Sequence, residues 1–233
     1  MSLSYQIDRD GLYIGVLVMV RLTPLLPREF YCRPTLTVAR ALIGTFLVHR
    51  HGAHVRVGRI VETEAYQGPH DLAAHSAKGR TPRTEVMFGP PGHAYVYLIY
   101  GVWHCLNVVV GAPGVPHAVL IRALEPIEAV LEKTWGPGLL CKAFAIDRAL
   151  NGADFCGPTL RIHARKSGRP PAIAQAPRIG VDYAGTWAAK PWRFYAKDSP
   201  FVSTARGADV VRARALYPIR SGASQSAPCT RNS

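Results

Sequence analysis

The chain has 233 residues, of which 48% are hydrophobic and 18% are charged. This length and composition exclude bulk disorder and are sufficient for one large domain or two small ones with a sizeable core. Lys and Arg number 28 against 15 Asp and Glu, which gives a net charge of +13. Such an excess favours a polyanionic partner, nucleic acid first and an anionic membrane second, although a solvated basic surface has the same composition.

The cysteine content argues against a disulfide framework and against a zinc site. The number of cysteines is odd, their spacings are wide, and neither a CxxC motif nor a Cys/His cluster with zinc spacing occurs. We therefore expect reduced thiols in an intracellular protein. Three histidines (His49, His51 and His54) lie close together, and we interpret them as a solvated hairpin turn rather than a metal site. The five cysteines are Cys32, Cys105, Cys141, Cys156 and Cys229.

Both ends of the chain differ in composition from the middle. The apolar run GLYIGVLVMV at 11–20 is too short to span a bilayer, and the acidic residues before it argue against a signal peptide. It fits either a strand or an extension outside the domain. Residues 157–233 carry 13 Lys or Arg and 3 Asp or Glu, a balance that adds affinity for phosphate independent of sequence. We divide the chain into an N-terminal extension (1–25), a domain (26–206) and a basic flexible tail (207–233).

In chain order, PTLTVARALIG predicts a helix capped by Thr35 or Thr37 and ended by Gly44. TFLVHR and HVRVGRIVETEA predict two strands joined by a turn at His51 and Gly52. A loop rich in Gly, Pro, Ser and Thr follows at 68–92, and AYVYLI and WHCLNVVV then predict a second hairpin. HAVLIRAL predicts a strand, PIEAVLEKTW a helix that begins at Pro126, and GPGLLCKAFAI another short helix. Short strands and loops follow, and together the pattern indicates one α+β domain built on an antiparallel sheet.

The tip of the second hairpin is unusual, because it carries a bulky aromatic side chain, Tyr100, beside Gly101. Hairpin tips normally carry small or polar residues. An exposed aromatic at this position could act as a wedge, or it could fold back onto its own sheet.

The strand that reads GRIVETEAY, residues 58 to 66, places two carboxylates, Glu62 and Glu64, on the same face. Acidic side chains in a basic protein suggest a chemical role. The alternative is an exposed strand face on which these carboxylates pair with Arg56 or Arg59.

Several segments together resemble the alkyladenine DNA glycosylase family, monofunctional enzymes that excise 3-methyladenine and other damaged purines. These segments follow the family's order at closely similar spacing from about Glu29 to Ser203. They read RIVETEAYQGPHDLAAHS, TPRTEVMF, YVYLIYG, HCLN, LIRALEP, GPGLLCKAFAI and RFY…SPFVS. The loop GPPGHA at 89–94 and the residues Trp103 and His104 depart from the family's pattern, which puts the substrate range in doubt more than the chemistry.

The resemblance assigns roles to eight residues. Glu64 matches the catalytic general base, and Arg122 matches the arginine that helps to hold the nucleophilic water. Asn107 matches the residue that selects against guanine. The remaining residues line the pocket for a flipped base (Tyr66, His75 and Tyr97), insert into the DNA minor groove (Tyr100) or pack beside the intercalation site (Met87). The family uses neither a metal nor another cofactor.

The resemblance also implies a fold, partners and a location. We expect a single α+β domain with a curved antiparallel sheet, flanking helices and a protruding β-hairpin. We expect a monomer that binds double-stranded DNA containing damaged purines and not a membrane. The protein would be intracellular, in the cytoplasm with the nucleoid if bacterial and in the nucleus if eukaryotic.

Physical arguments agree with these roles. A stacked base is unreachable, so an enzyme must flip it out at a cost of about a few kcal/mol, and an inserted side chain fills the gap that it leaves. Aromatic walls stack an extruded purine and attract one that carries positive charge. Because no lysine nucleophile lies beside Glu64, we expect direct displacement by water, which leaves an abasic site and an intact strand.

Two other functions are compatible with parts of the sequence. A basic protein that binds RNA or the ribosome would explain the charge, but not the paired carboxylates or Tyr100. A protein of the membrane surface could use the apolar N-terminal run and the basic tail. Several of the proposed site residues also have structural alternatives, namely core packing for the tyrosines and a buried amide bonded to the backbone for Asn107.

Overall fold

The computed structural model describes residues 23–52, 54–130, 132–165 and 170–204. The N-terminal run at 11–20 and the tail at 207–233 therefore lie outside the described residues. Strands and short helices alternate along the rest of the chain. The helices are α1 (Arg28–Tyr31), α2 (Thr35–Ala41) and α3 (Pro137–Ala143). The strands are β1 (Phe46–His51), β2 (His54–Gln67), β3 (Ala94–Ile99), β4 (Trp103–Val110), β5 (His117–Glu128), β6 (Leu160–His163), β7 (Ile173–Ala176) and β8 (Arg193–Ala196). Four 3₁₀ helices span His75–Lys78, Glu85–Phe88, Arg148–Leu150 and Asp182–Trp187.

The strands form one antiparallel sheet with the order β3-β4-β5-β2-β1-β6. The 14-residue β2 holds the sheet together. On one edge it pairs first with β1 and then, from Glu62 to Glu64, with β8, which in turn pairs with β7. On its other edge it pairs with β5 across several register shifts. The sheet is curled, and the prediction of an α+β domain with a curved antiparallel sheet is confirmed.

Helices α2 and α3 cover the sheet and are held to it by specific contacts. Thr63 of β2 donates from its Oγ1 to the Ala39 carbonyl of α2 at 2.8 Å, which fixes the helix above the strand. The ring of Phe144, just after α3, packs against Gly58, where an added Cβ would lie 2.8 Å from the ring. A glycine is therefore required at this crossing. The predicted helices at 35–41 and 137–143 are confirmed, although α2 begins after Pro34 without a side-chain cap.

The predicted helix that begins at Pro126 is wrong. Strand β5 continues through this residue to Glu128, and Pro126 lies opposite Gly58 next to a register shift. Proline is tolerated at such an irregularity because it has no N–H to offer a regular ladder. The chain then turns at Ala129, which has a φ of 51°. Further along the chain, Thr134 lies against β5 again, where its Oγ1 donates to the Leu124 carbonyl at 2.6 Å. Pairing with β2 has overridden the helical composition of this segment.

The interpretation of His49 as part of a solvated turn is also wrong. Its side chain is buried, and its Nδ1 is hydrogen-bonded to the carbonyl of Phe144 at 2.7 Å. Burial lowers the pKa of this imidazole. His51 and His54, by contrast, are exposed at the turn. No group of three or more His, Cys, Asp and Glu side chains is placed to hold a metal ion in the part of the chain that the structure describes. Within the same residues, every helix is too short or too polar to span a membrane.

Candidate active site

Glu62 and Glu64 of β2 are both completely buried, so the interpretation of this face as exposed is wrong. Neither carboxylate is held by the arginines on its own strand that the sequence offered as partners. Arg59, for example, pairs with Glu125 at 2.8 Å. Two other arginines face the carboxylates. They are Arg122, in the middle of β5, and Arg193, at the start of β8. A buried carboxylate needs such partners, because removing a charge from water without compensation is very costly.

Glu62 is engaged by several donors that hold the end of the domain in place. Its Oε1 accepts from Arg193 Nη1 at 2.9 Å and from the Ser203 hydroxyl at 3.0 Å. Its Oε2 accepts from the backbone N–H of Ser203 at 2.8 Å. Arg122 Nε also lies 3.3 Å from Oε1. Glu62 therefore ties β2, β5, β8 and the segment after β8 together.

Glu64 has a different environment. Its Oε1 accepts from the backbone N–H of Ile179, and its Oε2 accepts from the hydroxyl of Tyr66, each at 2.9 Å. Arg122 Nη1 lies 3.5 Å from Oε1. Burial raises the pKa of Glu64 and outweighs Arg122, the Ile179 N–H and the Tyr66 hydroxyl, which lower it, while Glu62 raises it further. Both donors leave lone pairs on the carboxylate oxygens, so a third donor such as water can still be accepted.

A cavity of about 190 Å³ lies in front of Glu64. Its wall includes seven of the eight residues to which the sequence assigned roles. Glu64 is not part of this lining. It lies behind the wall, bonded to Tyr66 and to the backbone of Ile179, which both line the cavity. The seven residues are Tyr66, His75, Met87, Tyr97, Tyr100, Asn107 and Arg122.

One side of the cavity is a cluster of aromatic rings. The rings of His75 and Tyr97 meet edge to face with centroids 4.5 Å apart, and Tyr95 lies 5.3 Å from Tyr97. Tyr95 is also hydrogen-bonded to His75 through Nδ1 at 2.9 Å. Burial, with smaller contributions from Arg83 and Lys78, lowers the pKa of His75 to about 4. His75 is therefore neutral near pH 7 and does not repel a cation in the cavity.

Asn107 and Met87 complete the wall, and both are buried. The amide of Asn107 donates from Nδ2 to the carbonyl of Tyr95 at 3.0 Å, which fixes its orientation. The structural alternative for Asn107 was a buried amide bonded to the backbone, and this bond is present. The same side chain also lines the cavity. Met87 packs with Tyr95, Val109 and Ala118.

The β3–β4 hairpin places Tyr100 at the mouth of the cavity. Tyr100 and Gly101 form the tip with φ values of 53° and 69°, and the side chain of Tyr100 is 87% exposed. It does not fold back onto its own sheet. The hairpin is braced close to its tip, because the ring of Trp103, which pairs with Ile99, packs on Gly138 of α3, where an added Cβ would lie 2.9 Å from it. Two further lining residues, Ile179 and Tyr183, are also partly or largely exposed.

Sequence reasoning did not find the segment around Ile179. Its backbone reaches Glu64, and the preceding Arg178 forms a buried ion pair with Asp71. Asp71 lies in a motif that carried the resemblance, but no role was assigned to it. The pair joins residues 107 positions apart, and nothing in the local sequence pattern indicates such a contact.

Comparison with known proteins identifies the class to which this fold and cavity belong. The family model of "Methylpurine-DNA glycosylase (MPG)" matches residues 29–200. A protein of Myxococcus xanthus (strain DK1622) named "Putative 3-methyladenine DNA glycosylase" is 57% identical over 180 residues, covering 76% of this chain and 93% of the relative. Relatives with the same name include one from Anaeromyxobacter dehalogenans (strain 2CP-1), at 56% identity over 76% of this chain and 85% of its own length. Another, from Legionella pneumophila (strain Corby), is 54% identical over 76% of this chain and 97% of its own length.

These matches define a DNA-repair hydrolase of the DNA glycosylase class. The chain belongs to the methylpurine-DNA glycosylase family. The match at 29–200 coincides closely with the region in which the sequence motifs occur, and the predicted resemblance is confirmed.

Proposed function

We propose that this protein flips alkylated or deaminated purines out of duplex DNA and hydrolyses their N-glycosidic bond with a water molecule that Glu64 activates. The main support for this proposal is the position of Glu64. It is buried behind an aromatic cavity and is held by Tyr66, Arg122 and the Ile179 amide. A carboxylate in this position can accept a proton from water that approaches the sugar of a base bound in the cavity. The product would be an abasic site in an uncut strand.

The proposed reaction is a direct displacement. The water oxygen bonds to C1′ of the sugar while the bond from C1′ to the purine nitrogen breaks, and its electron pair leaves with the base. The water proton passes to Glu64, whose negative charge also stabilises the positive charge that develops on the sugar. Arg122, 3.5 Å from Glu64, helps to orient the carboxylate and the water. General base catalysis of this kind is worth about 10²–10⁴-fold in rate.

The walls of the cavity would select the base. Tyr66, Tyr97 and His75 offer stacking and edge contacts, and the neutrality of His75 permits a cationic alkylated purine. The fixed amide of Asn107 would discriminate against guanine, which differs from adenine and hypoxanthine in carrying an amine at C2. Lesions with weakened pairing would also be flipped more readily than undamaged bases.

The outer surface would hold the DNA. Tyr100 stands exposed beside the cavity mouth, where it can occupy the gap that a flipped base leaves. The net charge of +13 supplies attraction to the phosphate backbone. We propose a monomer acting on chromosomal DNA in the cytoplasm of a bacterium, since the similar proteins described above are bacterial.

The test is base release by the purified full chain. Duplexes that contain hypoxanthine, 3-methyladenine, 7-methylguanine or only normal bases would be incubated with enzyme in excess, and abasic sites would be detected by cleavage in alkali. We expect release of one or more damaged purines, no release from the normal duplex, and strand breaks only after alkali. Absence of release from every duplex would contradict the proposal. Retention of RNA or ribosomes by such an inactive protein would support the alternative of a non-enzymatic RNA-binding protein.

A further inference from the structure

The side chains of Asp71 and Arg178 form a completely buried ion pair next to the candidate active site. Arg178 Nη1 donates to Asp71 Oδ2, and Arg178 Nη2 donates to Oδ1 at 2.8 Å. Asp71 also accepts from the backbone N–H groups of Gln67 and Ala73, each at 3.1 Å. The two-pronged pair therefore fixes the loop that leaves β2 directly after Tyr66.

Arg178 makes further contacts through the same two guanidinium nitrogens and through the face of the guanidinium. Nη1 donates to the Ala65 carbonyl at 2.9 Å, and Nη2 donates to the Trp187 carbonyl at 3.1 Å. The guanidinium carbon lies 4.7 Å from the centroid of the Tyr66 ring and 5.1 Å from that of Trp192. A single side chain thus connects β2, the loop after it, the 3₁₀ helix Asp182–Trp187 and the segment that leads to β8.

These contacts meet the active site at two points. Tyr66 is a wall of the cavity and the hydroxyl donor to Glu64, and its ring is packed against Arg178. Ile179 follows Arg178 in the chain. The backbone N–H of Ile179 donates to Oε1 of Glu64 at 2.9 Å. Neither Asp71 nor Arg178 is part of the cavity lining. Both therefore contact the site from behind and do not touch a bound base.

We propose that the Asp71–Arg178 pair is a positioning device that holds the Tyr66 ring and the Ile179 amide in the geometry that Glu64 and the flipped base require. This inference rests on the proposed function. It assigns no chemical step to either residue.

Stability alone is a weak reason for such a pair. Buried ion pairs can often be replaced by apolar residues without loss of stability, because the cost of removing both charges from water offsets their attraction. Orientation is a better reason, since the planar guanidinium fork binds both carboxylate oxygens and two carbonyls while its face packs on aromatic rings. A lysine keeps the charge but cannot reproduce this fork.

The test compares Arg178→Lys and Asp71→Asn with the wild-type enzyme. Excision of hypoxanthine from duplex DNA would be measured with enzyme in excess across a range of pH, together with the thermal midpoint of each protein. Phe155→Leu is the control, since Phe155 is a fully buried core residue that packs near Tyr31, outside the cavity lining. It is expected to lower the thermal midpoint and to leave the rate of the folded enzyme unchanged.

We expect Arg178→Lys and Asp71→Asn to slow excision by roughly 10- to 100-fold, because small displacements in an active site have costs of this order. We also expect the acid limb of the pH–rate profile to move to higher pH, since a displaced Ile179 N–H no longer lowers the pKa of Glu64. The other residues that influence the pKa of Glu64 are not substituted in these variants. They are Glu62 and Tyr66 on β2, Tyr97 on β3, Cys105 on β4 and Arg122 on β5, with Arg193 on β8 acting through Glu62.

Three results would overturn the inference. One is a wild-type rate and pH profile in both folded variants. The second is a loss that the Phe155→Leu control reproduces at an equal change in thermal midpoint. The third is failure of both variants to fold where Phe155→Leu folds, since the pair would then be a requirement of folding. A wild-type protein that releases no base would instead contradict the proposed function, so the two failures are distinguishable.

Discussion

The hydroxyl of Tyr66 donates a hydrogen bond of 2.9 Å to Oε2 of Glu64. The two residues lie two positions apart on β2, where side chains point to the same face. The ring of Tyr66 lines the cavity, whereas its hydroxyl reaches behind the wall to the carboxylate. One side chain therefore offers a base a surface for stacking and Glu64 a donor, and a substitution can separate these two contributions.

Tyr66→Phe is expected to change the pH dependence of excision more than its maximal rate. The ring remains for stacking, but the hydroxyl that lowers the pKa of Glu64 is lost. Because the proposed role of Glu64 as a general base requires its ionised form, the acid limb of the pH–rate profile should move to higher pH, and it should already lie above that of an ordinary glutamate in the wild type. Single-turnover excision measured across pH tests this. An acid limb at the wild-type pH would contradict an effect of this hydroxyl on Glu64.

Glu64→Gln is expected to act on the rate of base release, whereas Glu62→Gln is expected to act on the stability of the fold. Glu64→Gln should nearly abolish base release while retaining binding to lesion DNA, because the proposed proton acceptor is lost. Glu62→Gln should destabilise the fold by about 3–5 kcal/mol, since it breaks one side of a buried network with Arg193 and Ser203. Excision, DNA binding and unfolding would be measured on both. Near-normal excision by Glu64→Gln would make Glu62 the candidate base.

Glu64→Gln also gives a signed prediction for the dependence of stability on pH. Because burial raises the pKa of Glu64 in the folded protein, folding binds a proton in the window above the pKa of an unfolded glutamate. The contribution of Glu64 to stability is fully present below that window and is lost as pH rises through the folded pKa. As pH rises across this window, the free energy of unfolding of Glu64→Gln should therefore increase relative to that of the wild type. A constant difference would contradict the raised pKa.

The hairpins, the helices α2 and α3, and the face that carries Glu62 and Glu64 were predictable from the sequence because each depends on a local pattern. The segment after Leu124 was not. Its composition favours a helix, but its register with β2 and the Thr134 bond to Leu124 decide its conformation. The same limit applies to the buried pair of Asp71 and Arg178, since its partners are brought together by the finished fold. Seven of the eight residues to which the resemblance assigned roles, by contrast, line one cavity, and Glu64 lies directly behind its wall.

Binding to undamaged duplex is expected to weaken steeply with salt. A protein with a net charge of +13 should neutralise several phosphates and release their counterions, with a slope of about −0.9 per phosphate in a plot of log K against log salt. Deleting residues 207–233 removes four arginines and one aspartate. The slope should become shallower, and the preference among lesions should not change. Binding isotherms at several salt concentrations test this, and a flat dependence in the full chain would contradict electrostatic binding.

Tyr100→Ala is expected to impair excision in proportion to the stacking that a base must lose on leaving the duplex. If Tyr100 fills the vacated gap, it contributes to the flipping equilibrium and not to bond cleavage, and its removal should cost up to about a few kcal/mol. The penalty should be largest for well-paired hypoxanthine, smaller in a mismatch and nearly absent in single-stranded DNA. Glu64→Gln, in contrast, should slow excision from all three substrates alike, because each needs the activated water.

The matched control for Tyr100 is Tyr183→Ala. Tyr183 is also largely exposed, at 72%, and lines the same cavity, but it lies in the 3₁₀ helix Asp182–Trp187 and outside the hairpin. Its loss should not produce a penalty that depends on the strandedness of the substrate. Single-turnover excision by both variants on matched, mismatched and single-stranded hypoxanthine measures the difference. An equal loss for Tyr100→Ala on all three would mean that Tyr100 acts as part of the cavity wall, since a side chain that only replaces a base in the stack has nothing to replace in a single strand.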